Sequence, residues 1–269
     1  MERKKLVFLD IDGILVSNKQ DLKPELREAL ITAARSIIDI IAITGGPFAH
    51  VKSILLENCK KIFAEHGGYL HEKGNVTLCP RGDLNLMKEH FKVSGVEDGE
   101  VSTPLGKIII EGPRKTGLTF LFGSNISHYP GIETTADFFQ VYKEINEVIN
   151  KEHLSLNITF GKQDGYTYID VASTTKKDTV IGLYNSGELK GYQKVYILGD
   201  ARNDLEAMMA LLLWEESMGL SNVVVPVGFT NCTKEIQALA VSRGIFIQKH
   251  AVDEGGTAEF FHKLAKGEF

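Results

Sequence analysis

Leu6-Val7-Phe8-Leu9-Asp10-Ile11-Asp12-Gly13 is the stretch on which the reading of this chain turns. An apolar run, as in a strand covered on both faces, stops abruptly at two aspartates spaced i and i+2. Side chains alternate faces along an extended strand, but a chain that turns at Gly13 can swing both carboxylates into one crevice. Two anions that close disfavour joint ionisation unless a cation or a shared proton offsets the repulsion. The pair therefore suits a metal-assisted site, with a capped turn as the plain structural alternative. With 13 Asp and 26 Gly in 269 residues, Asp-x-Asp-Gly arises by chance roughly 0.06 times in such a chain, which favours the functional reading.

Other segments read like the first strand. Residues 37–43 (apolar but for Asp39), 195–198, 223–227 and 245–247 are apolar runs, as buried parallel strands are. Amphipathic helical stretches separate them at 23–36 (with Pro24 in its first turn), 48–58, 204–213 and 233–242. This alternation predicts an α/β fold with a doubly wound, mostly parallel sheet. The middle of the chain differs. Short strands at 107–111, 118–122, 154–160 and 166–171, with turn signals at Gly112-Pro113 and Asp164-Gly165 and a helix at 137–151, predict an α+β insert with a mostly antiparallel sheet. The expected division is a core of residues 1–82 and 166–269, split by an insert of 83–165.

Two more strand ends carry chemistry. The strand at 37–43 runs into Thr44-Gly45-Gly46-Pro47, where a hydroxyl, bare amides and a helix N-terminus make a cradle for an oxyanion. The strand at 195–198 runs into Gly199-Asp200-Ala201-Arg202-Asn203-Asp204. Ligands of open α/β sheets bind outside the carboxyl ends of the strands, where Asp10, Thr44 and Asp200 all fall. Oxygen ligands of this kind suit Mg²⁺. A carboxylate ionised at neutral pH needs no base to act as nucleophile, and one cation is required beside the transferring group. Lys176 and Lys177, after the strand that ends at Val171, are the candidates.

Composition bounds the partners. The chain is 43% hydrophobic and 24% charged, with a net charge of −5 and pI near 5.9. No Lys/Arg-rich run supports nucleic-acid binding. The charged start, Met1-Glu2-Arg3-Lys4-Lys5, is followed by too short an apolar run for a signal peptide or a membrane span. Cys59, Cys79 and Cys232 show no zinc-ligand spacing and read as reduced thiols, so the cytoplasm is the expected compartment. No heptad or long exposed apolar helix fixes an oligomeric state.

Asp10-Ile11-Asp12-Gly13, Thr44, a Lys before a helix, and Gly199-Asp200-x-x-Asn203-Asp204 together resemble, in order, the four motifs of the haloacid dehalogenase superfamily. The resemblance covers the α/β segments, and the position of the insert is similar to that of subfamily IIB. That group includes trehalose, sucrose and mannosylglycerate phosphate phosphatases, Cof-type sugar phosphatases and eukaryotic phosphomannomutases. The resemblance implies that Asp10 attacks phosphorus to form an aspartyl-phosphate. It makes Asp12 the acid that protonates the leaving alkoxide and then the base that activates water. Mg²⁺ would be held by Asp10, the backbone carbonyl of Asp12 and Asp200, with Asp204 in support. Thr44, with Gly45, Gly46 and Asn203, would meet the phosphoryl group. Lys177 is chosen over Lys176 because family members place the Lys directly before a small or turn residue and then the helix, although Asp178 here replaces the usual Gly. Other departures are Ile14 for Thr, Gly46 where many phosphatases have Arg, and Glu65-His66-Gly67 for Glu-Asn-Gly, which brings His66 into view as a substrate contact, with a buried, satisfied histidine as the equal alternative.

Gly45-Gly46-Pro47-Phe48 and Arg114-Lys115-Thr116-Gly117 are similar to phosphomannomutase, whose insert reads a second phosphate with several arginines. Here Arg114 alone has a counterpart, and Ser124 stands where the family has another Arg. The cations Lys107, Arg114 and Lys115 are few for rebinding a bisphosphate, so hydrolysis of a small phosphorylated metabolite, a sugar phosphate first, is the expectation. The insert is expected to close over substrate and supply specificity. A phosphosugar mutase is the alternative. A non-catalytic binding module is disfavoured because every catalytic carboxylate is retained.

Overall fold

The computed structural model describes residues 4–17, 22–36, 38–55, 58–79, 82–93, 99–112, 114–123, 126, 129, 133–163 and 166–269. Two compact units emerge, one of residues 1–76 and 176–269 and the other of residues 77–175.

The first unit opens with β1 (Lys5–Leu9), α1 (Pro24–Ala34), β2 (Ile38–Ile43), α2 (Phe48–Leu55), β3 (Lys61–Ala64), β4 (Tyr69–Glu72) and β5 (Asn75–Leu78). The second holds α3 (Gly82–His90), β6 (Gly99–Thr103), β7 (Gly106–Glu111), β8 (Gly117–Phe122), α4 (Phe138–Lys151), β9 (Asn157–Gln163) and β10 (Tyr166–Ala172). The chain then completes the first unit with α5 (Lys176–Asn185), β11 (Lys194–Leu198), α6 (Arg202–Ser217), β12 (Val224–Phe229), α7 (Lys234–Arg243), β13 (Ile245–Ile247) and α8 (Gly256–Ala265).

Among the described residues the first unit's sheet has the order β13-β12-β11-β1-β2-β3-β4-β5. Strands β13 through β3 are parallel, and β4 returns antiparallel to β3. From β1 the order runs one way through β2 and β3 and the other way through β11, β12 and β13. Right-handed crossovers then put helices on both faces, the doubly wound arrangement. Both faces being covered explains the mostly apolar character of β1, β2 and β11, whose side chains are almost all buried, with Asp39 the one charged residue inside β2. Helix α1 buries Leu26, Ala29, Leu30 and Ala33 along one stripe and packs on α8, while α5 packs on α6. The reversal of strand order next to β1 leaves a crevice at the carboxyl ends of β11, β1 and β2. Leu9 lies in register with Leu198 and Ala42, so these three strands end level.

In the second unit β6-β7-β8-β10-β9 form an antiparallel sheet. Leu84 and Met87 of α3 and Val141, Ile145 and Val148 of α4 join its main core. Helix α4 is capped by Asp137, whose Oδ1 accepts the Gln140 N–H at 3.0 Å.

The insert is longer than the expected 83–165. Strand β10 pairs with β8 and β9, so residues 166–175 belong to it rather than to the core. Residues 154–160 do not form one strand: Leu154 N–H still bonds Ile149 O as the end of α4, and β9 begins at Asn157. Helix α6 starts before the expected 204. Strands β3 to β6 and helix α3 had no sequence expectation. Ile37, Pro113, Ser124, Asp164 and Gly165 lie outside the described residues. Among those described, no helix is long and apolar enough to cross a membrane, and Cys59, Cys79 and Cys232 are free thiols.

Candidate active site

Asp10 continues the β1 ladder by donating its N–H to Leu198 O at 3.1 Å, and its side chain is buried. The chain then doubles back, with Ile11 O accepting Leu15 N–H at 2.8 Å and Gly13 N–H bonding Val16 O at 2.9 Å. Gly13 sits at φ +76°, and a Cβ there would fall 2.0 Å from Asp200 Oδ2. The glycine thus serves both the left-handed turn and the approach of a second carboxylate. Asn231 Nδ2 donates to Gly13 O at 2.9 Å, and Thr257 Oγ1 donates to Ile14 O at 2.7 Å, bracing the turn from the loop after β12 and from the start of α8.

At the end of β2, Thr44 is buried, and Gly46 N–H donates to its Oγ1 at 3.0 Å. The loop is held from behind. Glu65 N–H bonds Gly46 O, His66 N–H bonds Thr44 O, and a Cβ on Gly45 would meet His66 Cε1 at 2.8 Å. Glu65 and His66 are buried non-glycine residues at φ 52° and 60°. Such strain costs on the order of 1–3 kcal/mol per residue and persists where surroundings over-determine it. His66 is therefore a buttress under the cradle. A Cβ on Gly46 would lie 3.5 Å from Thr44 Oγ1 and 3.7 Å from Asp12 Oδ2, so its bare Cα leaves space between those two oxygens.

At the end of β11, a Cβ on Gly199 would sit 2.3 Å from Asp204 Cγ, which makes glycine obligatory there. Asp204 Oδ2 accepts Ala201 N–H at 3.2 Å and caps α6. Thr233 N–H holds Asp200 O at 2.9 Å, and Cys232 Sγ lies 3.3 Å from Gly199 O. Asn203 Oδ1 is buried with no hydrogen-bond partner among the described residues.

Lys176, the first residue of α5, bridges Asp10 Oδ1 at 2.8 Å and Asp204 Oδ1 at 2.7 Å and is 3% exposed. Lys177, the expected residue, is exposed. The assignment is therefore corrected to Lys176. At the start of a helix adjacent residues point about 100° apart, and here the first of the pair faces the carboxylates. Arg114 lies in the second unit, where its Nη2 donates to buried Glu111 Oε2 at 2.6 Å.

Asp10, Asp200 and Asp204 each present an oxygen within 4.8 Å of the others. Three carboxylates against the single Lys176 ammonium leave two formal negative charges in a mostly buried site. Burial pushes the Asp10 carboxyl well above its usual range, with Asp204 and Asp200 adding to the effect and Lys176 opposing it. Burial, then Asp204, push Asp200 up to about 7. Burial would lower the Lys176 ammonium, but Asp10 and Asp204 hold it above its ordinary value. An all-oxygen donor set with excess negative charge fits a hard divalent cation such as Mg²⁺. The Asp12 side chain is not among these oxygens. Both Asp204 oxygens already accept hydrogen bonds, from Lys176 Nζ and Ala201 N–H.

This electrostatic imbalance has a consequence for stability. A carboxyl whose pKa is raised by folding favours the folded state at low pH and loses that contribution as pH rises through the folded value. Without metal, the protein should therefore lose about 3 kcal/mol between pH 5 and pH 8 from Asp200 alone, at 1.36 kcal/mol per pKa unit. Thermal melts in EDTA should show the drop, Mg²⁺ at pH 8 should reverse it, and Asp200→Asn should lessen it. A wild-type melting temperature that rises from pH 5 to 8 in EDTA would contradict this electrostatic picture.

Asn231, Thr257 and His50 were not anticipated. Asn231 closes the loop after β12, so the strand-end rule that found Asp10, Thr44 and Asp200 applies to it as well. Thr257 and His50 sit inside helices and carry no such signal.

No protein-family model and no curated protein sequence matches the chain. Solved structures do. The C-terminal domain of C. albicans trehalose-6-phosphate phosphatase matches at TM-score 0.66 and 17% identity, over 98% of this chain and 92% of that one. A haloacid dehalogenase-like hydrolase from Bacteroides thetaiotaomicron matches at TM-score 0.62 and 15% identity, over 98% and 100% of the two chains. The HAD subclass IIB sugar phosphatase BT4131 matches at TM-score 0.54 and 15% identity, over 97% and 98%. The chain has the fold of these proteins, insert included.

Proposed function

We propose that this chain, with the fold shared by haloacid dehalogenase-type phosphatases, is a phosphoric monoester hydrolase that uses Mg²⁺ and acts on a small phosphorylated metabolite, a sugar phosphate first. The observation that carries the reading is the meeting of Asp10, Lys176 and Asp200 beside Thr44 at the level ends of three adjacent strands. Fold and site agree, and the structural neighbours named as phosphatases add weight.

In the proposed reaction an Asp10 oxygen bonds to phosphorus as the bond to the leaving oxygen breaks. Asp12 delivers a proton to that oxygen, then takes one from the water that cleaves the Asp10–phosphorus bond and releases phosphate. Thr44 Oγ1 and the amides beside it orient the phosphoryl oxygens, and Lys176 offsets their charge. Bound Mg²⁺, held by Asp10, Asp200 and the Asp12 carbonyl, would neutralise phosphoryl charge. Hydrolysis is favoured over phosphoryl exchange because Arg114, the expected reader of a second phosphate, is engaged by Glu111. The free thiols fit a reducing compartment, and we place the reaction in the cytoplasm.

The test is Mg²⁺-dependent phosphate release from a panel of phosphorylated sugars, trehalose 6-phosphate included. Release that EDTA stops is expected. No release from any substrate would sink the reading, and isomer interconversion that needs a hexose bisphosphate would replace it with a mutase.

A further inference from the structure

We infer that His50 is a positioning residue that holds one oxygen of Asp12, leaving the other to move the proton; the inference rests on the phosphatase reading. The two oxygens of Asp12 have different surroundings. Oδ1 is buried and has no hydrogen-bond partner among the described residues, yet it lies 3.9 Å from His50 Nε2. Oδ2 lies on the side of Gly46 and Thr44, 3.7 Å from where a Gly46 Cβ would be. The Asp12 side chain as a whole is 34% exposed, so the shielded oxygen is the one beside the imidazole. A carboxylate that must first give a proton to an alkoxide and then take one from water works best when one rotamer is fixed.

His50 is well placed to fix it. It lies in the first turn of α2, with its N–H on Pro47 O at 3.1 Å. The preceding Phe48 stacks on Tyr69 at 4.6 Å and on His71 at 5.1 Å, pinning the start of the helix. The 3.9 Å separation is longer than a hydrogen bond, as catalytic contacts often are before substrate binds. A small rotation of either side chain lets Nε2–H donate to Oδ1. The His50 ring never touches the reacting atoms; it acts through Asp12.

This role predicts a dependence on the leaving group. A sugar alkoxide must be protonated as it leaves, whereas p-nitrophenolate needs little help. His50→Ala should lower kcat for the panel's fastest sugar phosphate by about 10–100-fold, a typical range for impaired acid–base catalysis. KM and the Mg²⁺ dissociation constant, measured calorimetrically without substrate, should stay within about twofold. The burst of p-nitrophenol from p-nitrophenyl phosphate should fall less than about threefold. His50→Gln, which keeps an N–H donor, should recover most of the lost rate. Equal losses on both substrates, an unchanged kcat, or a loss matched by weakened Mg²⁺ binding would overturn the inference. If the wild type hydrolyses neither ester, the phosphatase reading itself is what fails.

Discussion

Asp10→Asn is expected to reduce phosphate release by more than about 10⁴-fold while leaving the protein at least as stable as the wild type when metal is absent. The first half follows from chemistry. An amide has nearly the shape of a carboxylate but is not a nucleophile at phosphorus, and losses of this order accompany removal of a covalent nucleophile. The second half follows from the site's charge. Asp10 is buried, and its carboxyl is pushed up by burial and by Asp204 and Asp200. An asparagine there removes one of three carboxylates facing a single ammonium, and Asp204 still pairs with Lys176 at 2.7 Å. The combination separates catalysis from folding, because a variant dead through misfolding would melt early. Acid-quenched wild type should carry phosphate on the peptide that contains Asp10, and the variant should carry none. Turnover by Asp10→Asn within tenfold of wild type would refute the nucleophile assignment.

The strand ends were the legible part of this chain because a buried parallel strand leaves two signals, an unbroken apolar run and an abrupt polar stop. Asp10, Thr44 and Asp200 all follow such runs, and the structure ends their strands level. Less was visible where the signal is weak by nature. Strand β5 is half a hairpin with three exposed residues, and β3 and β4 are four residues each, too short for any periodicity to show. The strand at 166–171 reads as one of the insert's short strands, yet a boundary drawn at the Asp164-Gly165 turn signal leaves it out; its partners β8 and β9 are set by tertiary pairing alone. The braces on the Asp12–Gly13 turn come from Asn231 and Thr257, more than 200 residues away in sequence. No local pattern records such a contact. The choice between Lys176 and Lys177 was of the same kind. Both lie at the start of α5, and only the rotation of that helix about its axis decides which one turns inward.

That rotation yields the sharpest contrast between neighbouring substitutions. Lys177→Met should leave kcat within about twofold and stability within about 0.5 kcal/mol, as for an ordinary surface change. Lys176→Met should lower kcat by about 10²–10³-fold, the scale on which one electrostatic donor to a developing charge acts. It also strands Asp10 and Asp204, which Lys176 now bridges at 2.8 Å and 2.7 Å. Removing one partner of a buried ion pair costs about 3–5 kcal/mol, so metal-free Lys176→Met should melt well below wild type. Mg²⁺ should reverse part of that loss. With the ammonium gone, three carboxylates face the cation without a competitor, so calorimetry should show Mg²⁺ binding at least as tightly as in the wild type while turnover collapses. Loss of turnover together with unimpaired metal binding is the outcome that a merely structural lysine would not produce. Equal damage from both substitutions would mean that the face of α5 seen here is not the one the enzyme uses. Damage from Lys177→Met alone would return the role to the residue that family spacing favours.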